Sequence, residues 1–263
     1  MKRTLITCIL LAYILTSCYS EEKNIHPSFN LNIKTLEEII YDLNQEIQRK
    51  ILDNPVRFLE LSDFMLSQPE ELFFLADKEH AITKEQAPEE TVKPSDYGIS
   101  YTVKDREVSS LIINQLKKMY DAAAKEGIEL IFASGYRPFD YQEIIYNRYV
   151  KELGQEEADR ISAKPGTSQH QLGTAVDFGS ISDEYANTPE GIWLFENAGQ
   201  FGFSLSYPDG LEDLTGYKWE NWHYRYITPE GIKMQNEFFL QTQQYLMKFW
   251  DNHKEQLKNV WRK

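Results

Sequence analysis

Apolar residues near the start of the chain recur at helical spacing, and a proline interrupts the pattern. The apolar positions are Leu36, Ile40, Leu43, Ile47 and Ile51, and the interruption is Asn54-Pro55. Since residues three or four apart lie on the same side of a helix, this spacing predicts one helix with an apolar face. We expect that face to serve as a packing surface.

The middle of the chain predicts a helix, a strand and a second helix in that order. The apolar positions of the first helix are Val108, Leu111, Ile112, Leu116 and Tyr120, and it is expected to end near Gly127. Residues 128–133 predict a short, mostly buried strand that leads into the segment 134–137. The second helix is expected from Asp140 to Leu153.

The last part of the chain continues this mixture of elements. Thr188-Pro189 predicts the start of a helix that continues to Gly199, and residues 201–207 and 222–226 predict strands. A single long terminal helix is expected from Pro229 to about Lys258. The predicted fold class is α+β, with a small antiparallel sheet flanked by helices, an N-terminal helical extension and a long C-terminal helix.

Two polar segments that are well separated in sequence carry the candidate chemistry. His170, Asp177 and His223 offer two imidazole nitrogens and one carboxylate oxygen, a donor set that suits zinc. Catalytic zinc typically takes three protein ligands and keeps one position open for water. Glu220 is then free to take a proton from that water. We predict a mononuclear zinc site with a catalytic base, carried by the antiparallel sheet.

The residues around Asp177 support this interpretation. Val176 and Phe178 flank the carboxylate with apolar side chains, so in a strand it would be half buried and would need a cation or several hydrogen-bond donors. His170 and Asp177 are seven residues apart and would lie on opposite faces of an uninterrupted strand. We therefore expect a turn at Gly173, followed by a strand.

Three motifs in the chain carry a resemblance to a known family. They are Ser134-Gly135-Tyr136-Arg137 with Gln142, then Ser168-x-His170-x-x-Gly173-x-Ala175-x-Asp177, then Glu220-x-Trp222-His223. Together they resemble the VanY/LdcB-type zinc carboxypeptidases, bacterial enzymes that trim the D-alanine-terminated stem peptide of peptidoglycan. The resemblance covers roughly residues 70 to 230. Three motifs in this order are far more specific than any one of them alone.

The resemblance implies the same zinc ligands and the same general base, and it adds a role for Arg137. This guanidinium would contact the scissile carbonyl oxygen, where it would stabilise the negative charge that develops there. The resemblance also implies that Ser168, Gln142 and Tyr136 bind the substrate. Pro138 stands where the family often has serine, a departure that alters the loop but removes no proposed catalytic group.

The composition of the chain limits the classes of molecule that it is expected to bind. The formal net charge of -13 argues against nucleic acid, because a polyanion needs a basic surface. The cysteines are Cys8 and Cys18, which both lie in a predicted leader or at its end. We therefore expect the mature fold to contain no disulfide, no thiol nucleophile and no cysteine-bound metal.

Residues 1–18 predict a lipoprotein-type signal peptide. Lys2-Arg3 is followed by an apolar run from Leu5 to Leu15, and Leu15-Thr16-Ser17-Cys18 resembles a bacterial lipobox. Cleavage before Cys18 would leave an acylated N-terminus that anchors the protein to a membrane of the cell envelope, in the periplasm or on the outer face of the cytoplasmic membrane. The alternatives are an ordinary signal peptide with a chance cysteine, and an uncleaved anchor.

Four regions are predicted after these considerations: the leader 1–18, a tether and helical extension 19–68, a zinc carboxypeptidase domain 69–230, and the C-terminal helix 231–263. The predicted activity is removal of the C-terminal D-alanine from peptidoglycan stem peptides, with D,D- or L,D-specificity left open. A D-Ala-D-Ala dipeptidase is one alternative. A non-catalytic envelope lipoprotein that uses the fold for binding is the other, although an intact set of ligands and base argues against it.

Overall fold

The computed structural model describes residues 23–262, and these residues form a mixed α and β fold. The α-helices are α1 (Ile33–Ile40), α2 (Gln45–Asp53), α3 (Pro55–Leu66), α4 (Ile113–Lys125), α5 (Phe139–Leu153), α6 (Gln155–Ile161), α7 (Pro189–Asn197), α8 (Glu212–Thr215), α9 (Pro229–Phe238) and α10 (Gln243–Val260). The strands are β1 (Thr91–Val92), β2 (Val108–Ser109), β3 (Phe132–Ser134), β4 (Ala175–Phe178), β5 (Phe203–Leu205) and β6 (His223–Tyr226). The predicted α+β class is confirmed.

The described chain divides into two compact units. The first contains residues 23–67 and 252–262, and the second contains residues 68–251. In the first unit, the Asp63 carboxylate accepts hydrogen bonds from Ser28 Oγ at 2.9 Å and from Trp261 Nε1 at 2.5 Å. One half-buried side chain on α3 thus connects segments from the start and the end of the described chain.

The helix predicted over residues 36–51 is two helices. The apolar face is present, since Leu36, Ile47 and Ile51 are buried, but α1 ends at Ile40 and α2 begins at Gln45. Asn44 explains the new start, because its side chain accepts a hydrogen bond from the Glu46 amide and so caps the N-terminus of α2.

Three further boundaries differ from the prediction. The helix expected from Val108 begins at Ile113, because Val108 instead pairs with Val92 in a two-stranded sheet. The strand expected over 128–133 is confined to Phe132–Ser134. The single terminal helix is divided into α9 and α10, and Leu240 and Gln241 between them have φ angles of 53° and 58°, which no right-handed helix contains.

The larger sheet of the second unit positions the candidate site. Its strand order is β3-β4-β6-β5, and every neighbouring pair is antiparallel. Phe178 of β4 faces α4, where its ring lies 6.1 Å from Tyr120. Since alternate side chains of a strand point to opposite faces, Asp177 points away from α4. One face of the sheet is therefore apolar core, and the other carries polar side chains.

Candidate active site

A row of polar residues crosses the polar face of the large sheet. Ser134 on β3 lies opposite Asp177 on β4, and Asp177 lies opposite His223 on β6. Residues directly opposite each other in a sheet have their side chains side by side. Strand pairing alone therefore brings Asp177 and His223 together, although they are distant in sequence.

His170 reaches this row from a short 3-10 helix, Gln169–Leu172. Ser168 caps that helix, because its Oγ accepts a hydrogen bond from the His170 amide. Gly173 ends it with a φ of 66°, and an added Cβ there would lie 3.1 Å from the Ser109 backbone nitrogen. The structure thus has the turn expected at Gly173, and β4 follows it.

Hydrogen bonds orient both imidazoles towards Asp177. Nδ1 of His170 lies 2.7 Å from the Gly135 carbonyl oxygen, which only accepts, so this nitrogen carries the proton and Nε2 does not. Nε2 of His170 lies 3.2 Å from Asp177 Oδ2, and Nδ1 of His223 lies 3.1 Å from Asp177 Oδ1. Nε2 of His223 points the other way, to Gln169 Oε1 at 3.2 Å.

These three side chains fit a metal ion. Their ligand atoms lie within 4.8 Å of one another, and all three residues are buried. Burial lowers the pKa of His170 to about 4, which leaves its imidazole neutral as a metal ligand must be. Oδ1 of Asp177 is buried and accepts no hydrogen bond within the described residues. A buried carboxylate oxygen without a hydrogen-bond donor is stabilised by a bound cation, and two nitrogens and one oxygen suit zinc.

Glu220 lies beside the three candidate metal ligands but is not one of them. A turn brings it there, since the His223 amide donates to the Glu220 carbonyl oxygen at 3.2 Å. Its Oε2 is 3.6 Å from His223 Nδ1, and its side chain is 13% exposed. Burial raises the pKa of Glu220 to about 7, although the neighbouring His223 opposes this shift. Glu220 therefore lies at the edge of the candidate metal site, with its pKa close to neutrality.

Arg137 approaches the carboxylate from the side of β3. Its Nη2 lies 3.9 Å from Asp177 Oδ2 and donates to Ser134 Oγ at 3.3 Å. Its Nη1 donates to Gln142 Oε1 at 2.9 Å. Burial lowers the pKa of Arg137, and the neighbouring Asp177 opposes this shift. An arginine side chain keeps its charge in proteins. The guanidinium is held rigidly beside the metal site.

A cavity of about 580 Å³ gathers most of the predicted site residues. Its wall includes the three candidate metal ligands, Glu220, Arg137 and Ser168. Gln142 is absent from this wall, because it is fully buried and holds Arg137 while its Nε2 donates to the Ala163 carbonyl oxygen at 2.7 Å. In the structure Gln142 therefore contacts Arg137 and does not line this cavity.

Tyr136 is the other predicted substrate-binding residue that the structure places elsewhere. It lines a separate cavity of about 190 Å³, together with Pro138, Phe139 and Gln171. Its backbone amide donates to the Glu107 carbonyl oxygen. Consecutive side chains in an extended segment point in different directions, and Arg137 therefore enters the large cavity while Tyr136 does not.

Two further cavity residues could not be identified from the sequence. Arg106 lines the wall, its Nη1 lies 3.5 Å from Ser134 Oγ, and its buried Nε has no hydrogen-bond partner. No carboxylate of residues 23–262 forms an ion pair with Arg106. Tyr207 is buried with its ring 4.8 Å from that of His223. Neither a lone arginine in a polar loop nor a tyrosine just after a strand belongs to a sequence pattern that would indicate a functional role.

The chain is similar in sequence to known D-alanyl-D-alanine carboxypeptidases. The family model of VanY, D-alanyl-D-alanine carboxypeptidase, matches residues 105–229. The protein YodJ of Bacillus subtilis is 33% identical over 190 residues, which cover 70% of this chain and 70% of YodJ. The chain belongs to the VanY D-alanyl-D-alanine carboxypeptidase family. A D-alanyl-D-alanine carboxypeptidase of Enterococcus faecium is 36% identical over 135 residues, which cover 51% of this chain and 42% of that protein.

Solved structures of VanY-family proteins share the fold. The LdcB LD-carboxypeptidase is 30% identical with a TM-score of 0.58, covering 68% of this chain and 85% of that one. The D,D-pentapeptidase VanY of a VanB-type resistance cassette was solved as a mutant in complex with Zn(II). It is 29% identical with a TM-score of 0.55, covering 68% of this chain and 99% of that one. The predicted class, a zinc metallopeptidase of the D-alanyl-D-alanine carboxypeptidase type, is confirmed.

We predict that the purified VanY-family chain binds one zinc ion and that His223→Ala abolishes this binding. The reason is that two remaining ligands hold zinc too weakly to compete with a chelator. Elemental analysis after dialysis against a mild chelator measures the metal content. His80→Ala is the matched control, because His80 also contacts a carboxylate, that of Asp77 at 2.7 Å, without a third ligand. Full zinc content in His223→Ala would contradict the assignment.

Proposed function

We propose that this chain is a zinc-dependent carboxypeptidase that removes the C-terminal D-alanine from peptidoglycan stem peptides. The single observation that carries the proposal is the convergence of His170, Asp177, His223, Glu220 and Arg137 on one cavity. Membership of the VanY family supports a carboxypeptidase that acts on D-alanine peptides related to peptidoglycan. The zinc mechanism and the chain-end specificity are the parts that we add.

The metal would be held by Nε2 of His170, the carboxylate of Asp177 and Nδ1 of His223. When bound, zinc supplies a Lewis acid and lowers the pKa of a bound water. Glu220 lies at the edge of these ligands, where its carboxylate accepts the proton of the attacking water and then returns it to the leaving amine. Glu220 lies next to His223 but is not one of the metal ligands, so both of its carboxylate oxygens are available for this proton transfer.

Arg137 would stabilise the negative charge that develops on the scissile carbonyl oxygen. Its guanidinium is fixed by Gln142 and Ser134 before the substrate arrives, so no reorganisation is needed during the reaction. Its charge is largely desolvated, which strengthens its interaction with a developing oxyanion. This arrangement supports the role that the family resemblance implies for Arg137.

Arg106 and Ser168 would recognise the free carboxylate at the end of the peptide. Arg106 carries a positive charge with no carboxylate partner among the described residues, and its buried Nε lacks an acceptor. A guanidinium pairs well with a carboxylate through two parallel hydrogen bonds. The Ser168 hydroxyl accepts from the His170 amide, so its proton is available to a ligand in the cavity. A site that recognises the chain end releases single residues.

The relatives support a peptide with D-alanine but do not fix the bond that is cleaved. The LdcB structure is that of an LD-carboxypeptidase, and VanYB, 29% identical with a TM-score of 0.55, was solved in complex with D-Ala-D-Ala. We propose the D,D-bond as the principal target. Residues 69–230 would form the catalytic domain, with 19–68 and 231–263 as accessory segments.

We further propose that the protein is a lipid-anchored component of the cell envelope. The motif Leu15-Thr16-Ser17-Cys18 supports this, and an acylated Cys18 would hold the catalytic domain near its substrate. The motif lies outside the described residues. Within residues 23–262, no helix is both long enough and apolar enough to cross a bilayer.

We predict that Glu220→Gln retains zinc and lowers kcat at least about 100-fold, the usual scale for loss of a general base. An amide keeps the shape of the side chain but cannot accept the proton of water. Steady-state kinetics and elemental analysis on the same preparation measure the two quantities. Glu184→Gln is the matched control, because Glu184 lines the same cavity but is exposed, and its kcat should not change. A normal kcat in Glu220→Gln would remove this residue from the mechanism.

A stem pentapeptide that ends in D-Ala-D-Ala should lose one D-alanine, and its C-terminal amide should react far more slowly. Mass spectrometry of defined muropeptides checks both expectations. Arg106→Met should reduce the preference for the free acid over the amide, whereas Arg148→Met, on the same cavity wall, should retain it. Cleavage of the free dipeptide D-Ala-D-Ala alone would identify a dipeptidase, and cleavage of no peptide would favour a binding protein.

Cys18→Ser should abolish lipid attachment, because acylation requires the thiol. The expected result is loss of the protein from the membrane fraction, or retention of an uncleaved leader. Fractionation of cells followed by mass measurement of the full chain distinguishes these outcomes. An unchanged mass and an unchanged membrane fraction would show that another segment anchors the protein.

A further inference from the structure

A chain of buried polar groups extends from the sheet to the rear of the candidate metal ligand His223. Gln243 Nε2 donates to the Ser204 carbonyl oxygen at 3.3 Å, and Gln169 Nε2 donates to Gln243 Oε1 at 3.3 Å. Gln169 Oε1 then lies 3.2 Å from His223 Nε2. All four residues are at most 3% exposed. Bulk water therefore does not compete for these hydrogen bonds.

The Ser204 end of this series of hydrogen bonds determines the direction of each bond in it. The Ser204 carbonyl oxygen only accepts hydrogen bonds, so the NH₂ group of Gln243 must face it and Oε1 must face Gln169. Gln169 is fixed in turn, with its NH₂ group towards Gln243 and its oxygen towards His223. Ser206 reinforces this orientation, because its hydroxyl donates to Gln169 Oε1 at 2.7 Å.

A fixed acceptor behind His223 determines which ring nitrogen carries the proton. A metal binds the uncharged imidazole, which carries one proton. Because Nε2 faces Gln169 Oε1, that proton lies on Nε2, and Nδ1 presents a lone pair on the side of Asp177. If Gln169 were reversed, its NH₂ group would face Nε2 and would favour the other tautomer. Nδ1 would then carry a proton and could not bind a metal.

We propose that Gln169 and Gln243 are positioning residues that set the tautomer and the ring orientation of His223 for metal binding. The proposal rests on the zinc site of the proposed function. It assigns a role to Gln243, which lies on α10, beyond residues 105–229 matched by the family model. The C-terminal helix is thereby part of the active-site architecture. A metal-bound histidine commonly depends on such a partner for its orientation.

The first test is the tautomer itself. In the zinc-loaded protein labelled with ¹⁵N-histidine, NMR correlations between ring nitrogens and carbons report which nitrogen is protonated. The chain has five histidines, so His223 can be assigned by single substitution of the others. The expected result is a proton on Nε2 of His223. A proton on Nδ1, or zinc bound through Nε2, would overturn the proposal whatever the variants do.

The second test measures zinc affinity by competition with a chromophoric chelator. Gln169→Leu and Gln243→Leu should each weaken zinc binding by about 10-fold to 100-fold. Gln169→Glu should restore tight binding, because a carboxylate oxygen also accepts from His223 Nε2. Gln244→Leu is the matched control: Gln244 is the next residue on α10 and equally buried, but it donates to Asp77 Oδ2 at 2.6 Å. Its zinc affinity should equal that of the unmodified protein.

The outcomes separate this proposal from the function on which it rests. Unchanged zinc affinity in folded Gln169→Leu and Gln243→Leu proteins would overturn the positioning role and leave the zinc enzyme intact. Equal losses in Gln243→Leu and Gln244→Leu would show a general effect of packing and would also overturn it. Absence of zinc from the unmodified protein would contradict the proposed function first. If a leucine variant fails to fold, the tautomer measurement on the unmodified protein still tests the positioning role.

Discussion

The buried carboxylate of Asp177 is the constraint on which the arrangement of the site depends. It is 3% exposed, and one of its oxygens accepts no hydrogen bond within the described residues. Burial of an ion costs several kcal/mol in effective desolvation, and Arg137 Nη2, 3.9 Å from Oδ2, is the cation that the described residues provide for this carboxylate. A metal ion bound at the other oxygen would offset more of that cost. The proposed metal would therefore stabilise the fold at this position as well as supply chemistry.

Backbone geometry turns this electrostatic requirement into a defined site. The pairing of β4 with β6 places Asp177 opposite His223, and the αL conformation of Gly173 allows His170 to return to the same point. Each imidazole is held from behind by an acceptor, the Gly135 carbonyl oxygen for His170 and the Gln169 amide oxygen for His223. The lone pairs are thus directed before a metal arrives, which lowers the entropic cost of binding it.

The sequence was sufficient to find the residues whose chemistry is unusual. Two histidines, an aspartate and a glutamate in motifs of fixed spacing point to a metal, and a glycine between apolar residues points to a turn, so His170, Asp177, His223, Glu220 and Gly173 could be named in advance. The positions at which helices are interrupted were harder to predict from the sequence. Asn44 and Leu240 interrupt apolar patterns that continue across them, because a cap and a left-handed residue are local events that periodicity does not record.

The residues that could not be found depend on contacts between distant parts of the chain. Gln142 belongs to the matched motif, yet only its burial shows that it holds Arg137 and does not face the cavity. Arg106 and Gln243 have no motif at all, and their importance follows from what the fold brings next to them. Such pairings are set by strand order and helix packing, which the spacing of residues along the chain does not contain.

The most direct measurement is a crystal structure of the zinc-loaded protein with anomalous diffraction at the zinc edge. The account predicts one anomalous peak bonded to Nε2 of His170, a carboxylate oxygen of Asp177 and Nδ1 of His223, with Glu220 beside it and unbound. Zinc at another place, zinc bound to His223 through Nε2, or Glu220 as a ligand in place of Asp177 would contradict it.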